Sequence, residues 1–181
     1  MGTTTSADEL KDIGLKQFQQ GQYAQAVETF TTAVSAYGDV GDENGRAEML
    51  NNIGVTQRTR KKNTEAIAAF NEALTIFQDQ GDLHKLAQAQ ANLADLYQFS
   101  KKQDEAAKYY SEAAATFSQL GDKQKQSQVL RAYSLMRMRQ GQWVEALMRM
   151  EESLSVKPRL GPLRWMFRGV LRFALGLMGA R

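Results

Sequence analysis

The sequence has no cysteine, one histidine, two prolines and no long uncharged apolar run. Without cysteine the chain has no disulfides, thiolate metal sites or cysteine nucleophiles, and its composition fits a reducing compartment. The lone histidine, His84, has no serine or carboxylate cluster paired with it that would make it a base, so it reads as an exposed linker residue. No glycine-rich phosphate loop, metal-ligand spacing or dinucleotide fingerprint occurs. No enzyme activity, cofactor or metal is therefore expected. Residues 1–10 are Thr-rich and then acidic, without the basic start and apolar run of a secretory leader, which makes a cytoplasmic location the default expectation. A membrane span needs about 20 uncharged apolar residues, and Arg168 and Arg172 interrupt the most apolar stretch.

What charge there is lies unevenly. The net charge of +3 combines 13 Lys/Arg against 17 Asp/Glu in residues 1–128 with 10 against 3 in residues 129–181. The basicity is thus a property of the C-terminal part, which would suit an acidic surface of some kind or a solvated face. Arg131, Arg137, Arg139, Arg149 and Arg159 could form a basic patch there. The lack of any nucleic-acid reading motif and the acidic first 128 residues argue against nucleic acid as the partner.

The strongest positive signal is self-similarity at an offset of 40 residues. Ala26 recurs as Ala66, Ala106 and Ala146; Gly14 as Gly54, Ala94 and Ser134; Phe30 as Phe70, Tyr110 and Met150. Large positions stay large and small ones stay small. Gly41-Asp42, Gly81-Asp82 and Gly121-Asp122 close the copies, since glycine accepts the left-handed conformation after a helix and aspartate favours caps. Within a copy, Leu50, Ile53, Gly54 and Gln57 and then Ala66, Ile67, Phe70, Ala73, Leu74 and Phe77 follow helical spacing, so each copy is predicted to be a helical hairpin. The small residues belong where two helices cross closely.

These residues resemble the tetratricopeptide repeat family, whose pattern reads here as Gly14, Ala26, Phe30 and Ala33 in the first copy and Gly54, Ala66, Phe70 and Ala73 in the second. The resemblance covers about residues 7–157. Its period departs from the usual one of about 34, and Leu10, Leu50, Gln90 and Leu130 replace the early aromatic. The longer period is similar to the extended subtype of kinesin light chains and signalling adaptors. In the fourth copy the signature decays to Ser134, Met150 and Ser153, with Lys157-Pro158 where an aromatic is expected. The implied fold is all-α, a right-handed superhelical solenoid of four helix-turn-helix repeats at about 7–42, 47–82, 87–122 and 127–157. A flexible N-terminus at 1–6 precedes it and a C-terminal amphipathic helix at 161–181 follows it.

The resemblance further implies a protein-interaction scaffold or adaptor that binds a peptide or helix of a partner in a concave groove lined by the first helices. By the family's register the groove includes Lys11, Leu15 and Phe18, then Asn51, Asn52, Val55 and Arg58, then Asn92, Asp95 and Phe99, then Arg131, Leu135 and Met138. Asn52 and Asn92 stand at equivalent positions, and an amide offers both a donor and an acceptor to a peptide backbone. The competing structural reading is that these amides bond a neighbouring helix or water. Capture of a chaperone's acidic tail is disfavoured, because Leu15, Gln88 and Asn92 stand where that binding mode needs other polar or cationic side chains.

After Gly161-Pro162 the pattern changes. At helical spacing Leu163, Met166, Phe167, Val170, Leu171, Phe173, Ala174, Leu177 and Met178 fill one broad arc, bordered by Arg164, Arg168 and Arg172, with Trp165, Gly169 and Gly176 completing the circle. One reading is a helix that caps the last repeat. The other is a surface helix that docks on acidic lipid or on a partner through Arg164, Trp165, Arg168, Arg172 and Phe173, making the chain a membrane-peripheral assembly factor. Exposed apolar residues on such a helix would also suit a homodimer.

Overall fold

Each 40-residue copy folds as two antiparallel helices. The computed structural model describes residues 5–156 and 162–177, and the side chains of residues 162–164 are outside that description. The expectations placed on residues 1–4, on Lys157-Pro158, on Gly161, on Met178 and beyond, and on the side chains of Leu163 and Arg164 lie outside the described residues. The helices are α1 (Ala7–Gln19), α2 (Tyr23–Asp39), α3 (Glu43–Thr59), α4 (Asn63–Asp79), α5 (Leu83–Phe99), α6 (Gln103–Gln119), α7 (Lys123–Arg139), α8 (Trp143–Ser155) and α9 (Pro162–Leu177). Consecutive helices pack on one another from α1 through α9, and α3 also meets α5, which gives an all-α solenoid of four hairpins with one helix after them.

The boundaries follow from capping. Ser6 accepts from the Glu9 N–H while the Glu9 carboxylate accepts from the Ser6 N–H, a reciprocal box that starts α1. Asp42, Asp82 and Asp122 accept from the N–H groups of Gly45, Lys85 and Lys125. Because these aspartates cap directly, the later hairpins begin at Glu43, Leu83 and Lys123 rather than at 47, 87 and 127.

Small-on-large packing closes each hairpin. A Cβ on Gly14 would fall 2.5 Å from the Phe30 ring, and one on Gly54 would fall 2.7 Å from the Phe70 ring. Phe30 and Phe70 are fully buried by that close approach, and each contributes about 1.5–3 kcal/mol of hydrophobic stabilisation. Where the fourth copy carries Ser134, the buried hydroxyl donates to the Ala146 carbonyl at 2.7 Å, so the substitution leaves no unsatisfied polar atom. Ser127 and Ser153 are likewise buried and bond each other's carbonyls. Between hairpins, Phe77 packs with Ala47, Leu50, Ala73 and Ala89, and Tyr110 stacks on Tyr133 with ring centroids 5.8 Å apart.

Candidate functional site

The first helices of successive hairpins, α1, α3, α5 and α7, carry the candidate wall. Lys11 Nζ on α1 lies 2.6 Å from Glu48 Oε1 on α3, and the other Glu48 oxygen lies 3.3 Å from Lys85 Nζ on α5. One carboxylate thereby ties three first helices together. Arg58 Nη1 is 3.4 Å from Asp95 Oδ2 and donates to the Asn92 carbonyl at 3.5 Å. Asp95 is held from its other oxygen by the Tyr110 hydroxyl at 2.6 Å. Burial, and then this hydrogen bond to a carboxylate, push the Tyr110 phenol well above its ordinary range.

These ion pairs share one spacing. Lys11 with Glu48, Glu48 with Lys85, and Arg58 with Asp95 are each 37 residues apart, as is the bond from Asn63 Nδ2 to Ser100 Oγ. Neighbouring hairpins thus meet obliquely, and a side chain reaches the residue about one turn before its equivalent in the next copy. Glu48 and Lys85 were missed by the sequence reading, which followed the 40-residue equivalence. Their signal was the alternation of sign at positions 11, 48 and 85.

Asn92 does not pair with Asn52. Its Nδ2 donates to Oδ1 of Asn51 at 3.2 Å, a bond between neighbouring first helices. The outer halves of that pair, Asn92 Oδ1 and Asn51 Nδ2, have no partner among the described residues, and neither does the Asn52 amide. Asn52 instead lines a hollow of about 80 Å³ with Leu15, Phe18, Val55, Phe30 and Thr56. Phe99, 73% exposed, stands at the end of α5 beside Arg58 and Asp95. On α7, Arg131 and Leu135 are exposed and take no part in the linked set of α1, α3 and α5, while Met138 is half-buried.

His84 is a correction. It lies inside the first turn of α5 rather than in a linker, because the Asp82 cap starts that helix early. Its Nε2 is 3.4 Å from Asp122 Oδ2, its Nδ1 is 3.1 Å from Gln88 Nε2, and its ring meets Phe117 edge-on. The Asp122 carboxyl is held below the usual range first by the Lys125 N–H it caps and then by His84.

At the far end α9 packs on α8 through buried Leu171 and Leu175, with Arg168 Nε 2.9 Å from Glu151 Oε1 and Arg172 at 4.0 Å from the same oxygen. Leu175 was left out of the predicted arc, and most of that arc faces outward: Met166, Phe167, Val170 and Leu177 are exposed, with Trp165 71% and Phe173 70% exposed beside them. No described helix is long and apolar enough to cross a membrane.

A sequence model of the tetratricopeptide repeat family matches residues 10–79 and 45–119. The chain belongs to the tetratricopeptide repeat family. The match ends before the fourth hairpin, where the signature residues have become Ser134, Met150 and Ser153. Among solved structures, the crystal structure of BtubC (BKLC) from P. vanneervenii is similar, with a TM-score of 0.76 and 17% identity over 93% of this chain and 72% of that one. At that identity the likeness speaks for the fold alone. No curated protein matches the chain by sequence. Tetratricopeptide repeats mediate protein–protein interaction, and the family and fold are non-catalytic scaffolds.

Proposed function

We propose that the chain is a scaffold whose first-helix wall holds an extended or helical segment of a partner protein. The observation that supports this most is the row of amide groups at Asn51, Asn52 and Asn92. It offers donors and acceptors beside an apolar hollow while the neighbouring charges are already paired. A peptide backbone needs both kinds of group, and a wall of neutralised ion pairs adds little charge selectivity of its own. Introducing Asn52→Asp together with Asn92→Asp should weaken partner capture at least about tenfold while leaving the circular dichroism spectrum unchanged. Quantitative pull-down with both proteins is the test, and capture undiminished in the folded double variant would refute the wall.

A second reading is favoured by the outward face of α9. Residues 153–181 contain no acidic side chain, and the helix presents Trp165, Phe173 and their apolar neighbours beside its arginines. Such a face suits the interface of an acidic bilayer, where apolar burial and attraction to anionic headgroups add. On this reading the chain is a cytoplasmic assembly factor that becomes peripheral to a membrane when α9 is engaged. Salt-sensitive co-sedimentation with phosphatidylserine but not phosphatidylcholine vesicles, lost in Trp165→Ala with Phe173→Ala, is the expected result. Equal sedimentation of that variant would count against it.

A further inference from the structure

Glycine weakens a helix, and the hairpins of this chain carry it where a ring needs the room. A Cβ on Gly14, Gly45 or Gly54 would fall 2.5–2.7 Å from the ring of Phe30, Tyr37 or Phe70. Gly169 and Gly176 of α9 have no such neighbour: a Cβ on either would meet nothing within 4 Å among the described residues. Both are exposed, on the side of α9 turned away from buried Leu171 and Leu175. Met166, Gly169, Phe173 and Gly176 follow one another at intervals of three, four and three, so they form a single seam, with Trp165 and Leu177 at its ends. The seam reads large, small, large, small, and it carries no charge. Arg168 lies on the other side of the helix, against Glu151, and Arg172 stands at the edge.

We infer that this seam pairs with the same seam of a second copy of the chain, the two α9 helices running antiparallel about a two-fold axis level with Leu171. In that register Gly169 of each copy faces Phe173 of the other, and Met166 faces Gly176. Every large side chain of the seam then meets a small one, as Phe30 meets Gly14 inside the first hairpin. A parallel pair would set Phe173 on Phe173 and glycine on glycine, giving clashes and gaps by turns. Trp165, Met166, Val170, Phe173 and Leu177 are each more than half exposed. Together they offer on the order of 600 Å² per copy, which brings the pair to the total of about 1,200 Å² at which stable interfaces begin. The uncharged seam gives a charged partner nothing to pair with, whereas its alternation of volume is complementary to itself. The inference does not depend on the bilayer reading, although both use this face: pairing covers the seam in solution, and an acidic vesicle competes with the second copy for it.

The test is sedimentation equilibrium of the full chain without lipid, from about 1 to 100 μM. A reversible monomer–dimer equilibrium is expected. Added salt should hold or tighten it, because the seam is uncharged and the two Arg172 side chains approach each other at its rim, whereas vesicle binding weakens with salt. Gly169→Phe sets ring against ring and should raise the dissociation constant at least about tenfold with the circular dichroism spectrum unchanged. Adding Phe173→Gly exchanges the two volumes between facing positions and should restore the dimer, a rescue that a parallel pair would not show. A monomer at every concentration, a dimer that salt dissociates, indifference to Gly169→Phe, or no rescue by the exchange would each overturn the pairing. A monomeric chain that sediments with phosphatidylserine vesicles would give the face to lipid alone and overturn the pairing; a dimer that follows the two variants but binds no vesicle would uphold the pairing and remove the bilayer reading.

Discussion

At the scale of single residues, the close approach of Gly54 to Phe70 decides between two opposed effects. Alanine in place of glycine within a helix gains about 1 kcal/mol of propensity, but here its Cβ would sit 2.7 Å from a fully buried ring, and overpacking costs about 1–3 kcal/mol. Gly54→Ala should therefore lower stability by up to about 2 kcal/mol, and adding Phe70→Leu should recover part of the loss; thermal unfolding of the single and double variants measures both. Tyr110 gives a pH prediction. Its phenol is raised, so the neutral form is favoured in the fold. Its contribution is complete below the ordinary phenol value of about 10 and is lost as pH rises above that value. The urea midpoint should hold between about pH 7 and 9 and fall above about pH 10. The fall should be shallower in Tyr110→Phe, with the remainder coming in part from Tyr37, which is raised by burial and its bond to Asp8.

At the scale of the elements, the hairpins and their order were legible because side-chain volume repeats at 40: Gly14 under Phe30, Gly54 under Phe70, Ala26, Ala66, Ala106 and Ala146 in line. The contacts between hairpins were not legible in the same way. They depend on how neighbouring helices cross, and so the ion pairs fall at a spacing of 37, while Asn92 bonds Asn51 at a spacing of 41 rather than its equivalent, Asn52. The Asp82 side chain caps the Lys85 N–H and starts α5 at Leu83, which puts His84 inside the helix; the repeat pattern marks the Gly81-Asp82 turn but not the reach of that cap. On α9 the periodicity found an amphipathic helix but not which side packs, since Leu171 and Leu175 meet α8 while the broader apolar arc stays outside. Among the described residues, a chain ending at Leu160 loses the contact of Leu171 and Leu175 with α8 and the pairs of Arg168 and Arg172 with Glu151. It should keep the helix content of the four hairpins, melt a few degrees lower, and lose vesicle binding. Circular dichroism with co-sedimentation checks all three, and collapse of the four hairpins would show that α9 is an essential cap.

At the scale of the whole molecule, stacked hairpins behave as a nearly one-dimensional array in which each unit leans on its neighbours. The wall along α1, α3 and α5 is continuous because Glu48 bridges Lys11 and Lys85 and Arg58 reaches Asp95, so a partner segment laid along it would touch several repeats at once. Binding spread this way should respond to changes in separate hairpins additively when the positions are well apart. The measurement that bears most directly on this is photo-crosslinking in native lysate from a benzoylphenylalanine placed at Asn52 on α3, compared with one at exposed Thr75 on α4. A discrete adduct from position 52 that is absent from position 75, and that disappears when Asn92→Asp is added, is the predicted result; equal adducts from both positions, or none from position 52 in a folded chain, would contradict a first-helix binding wall.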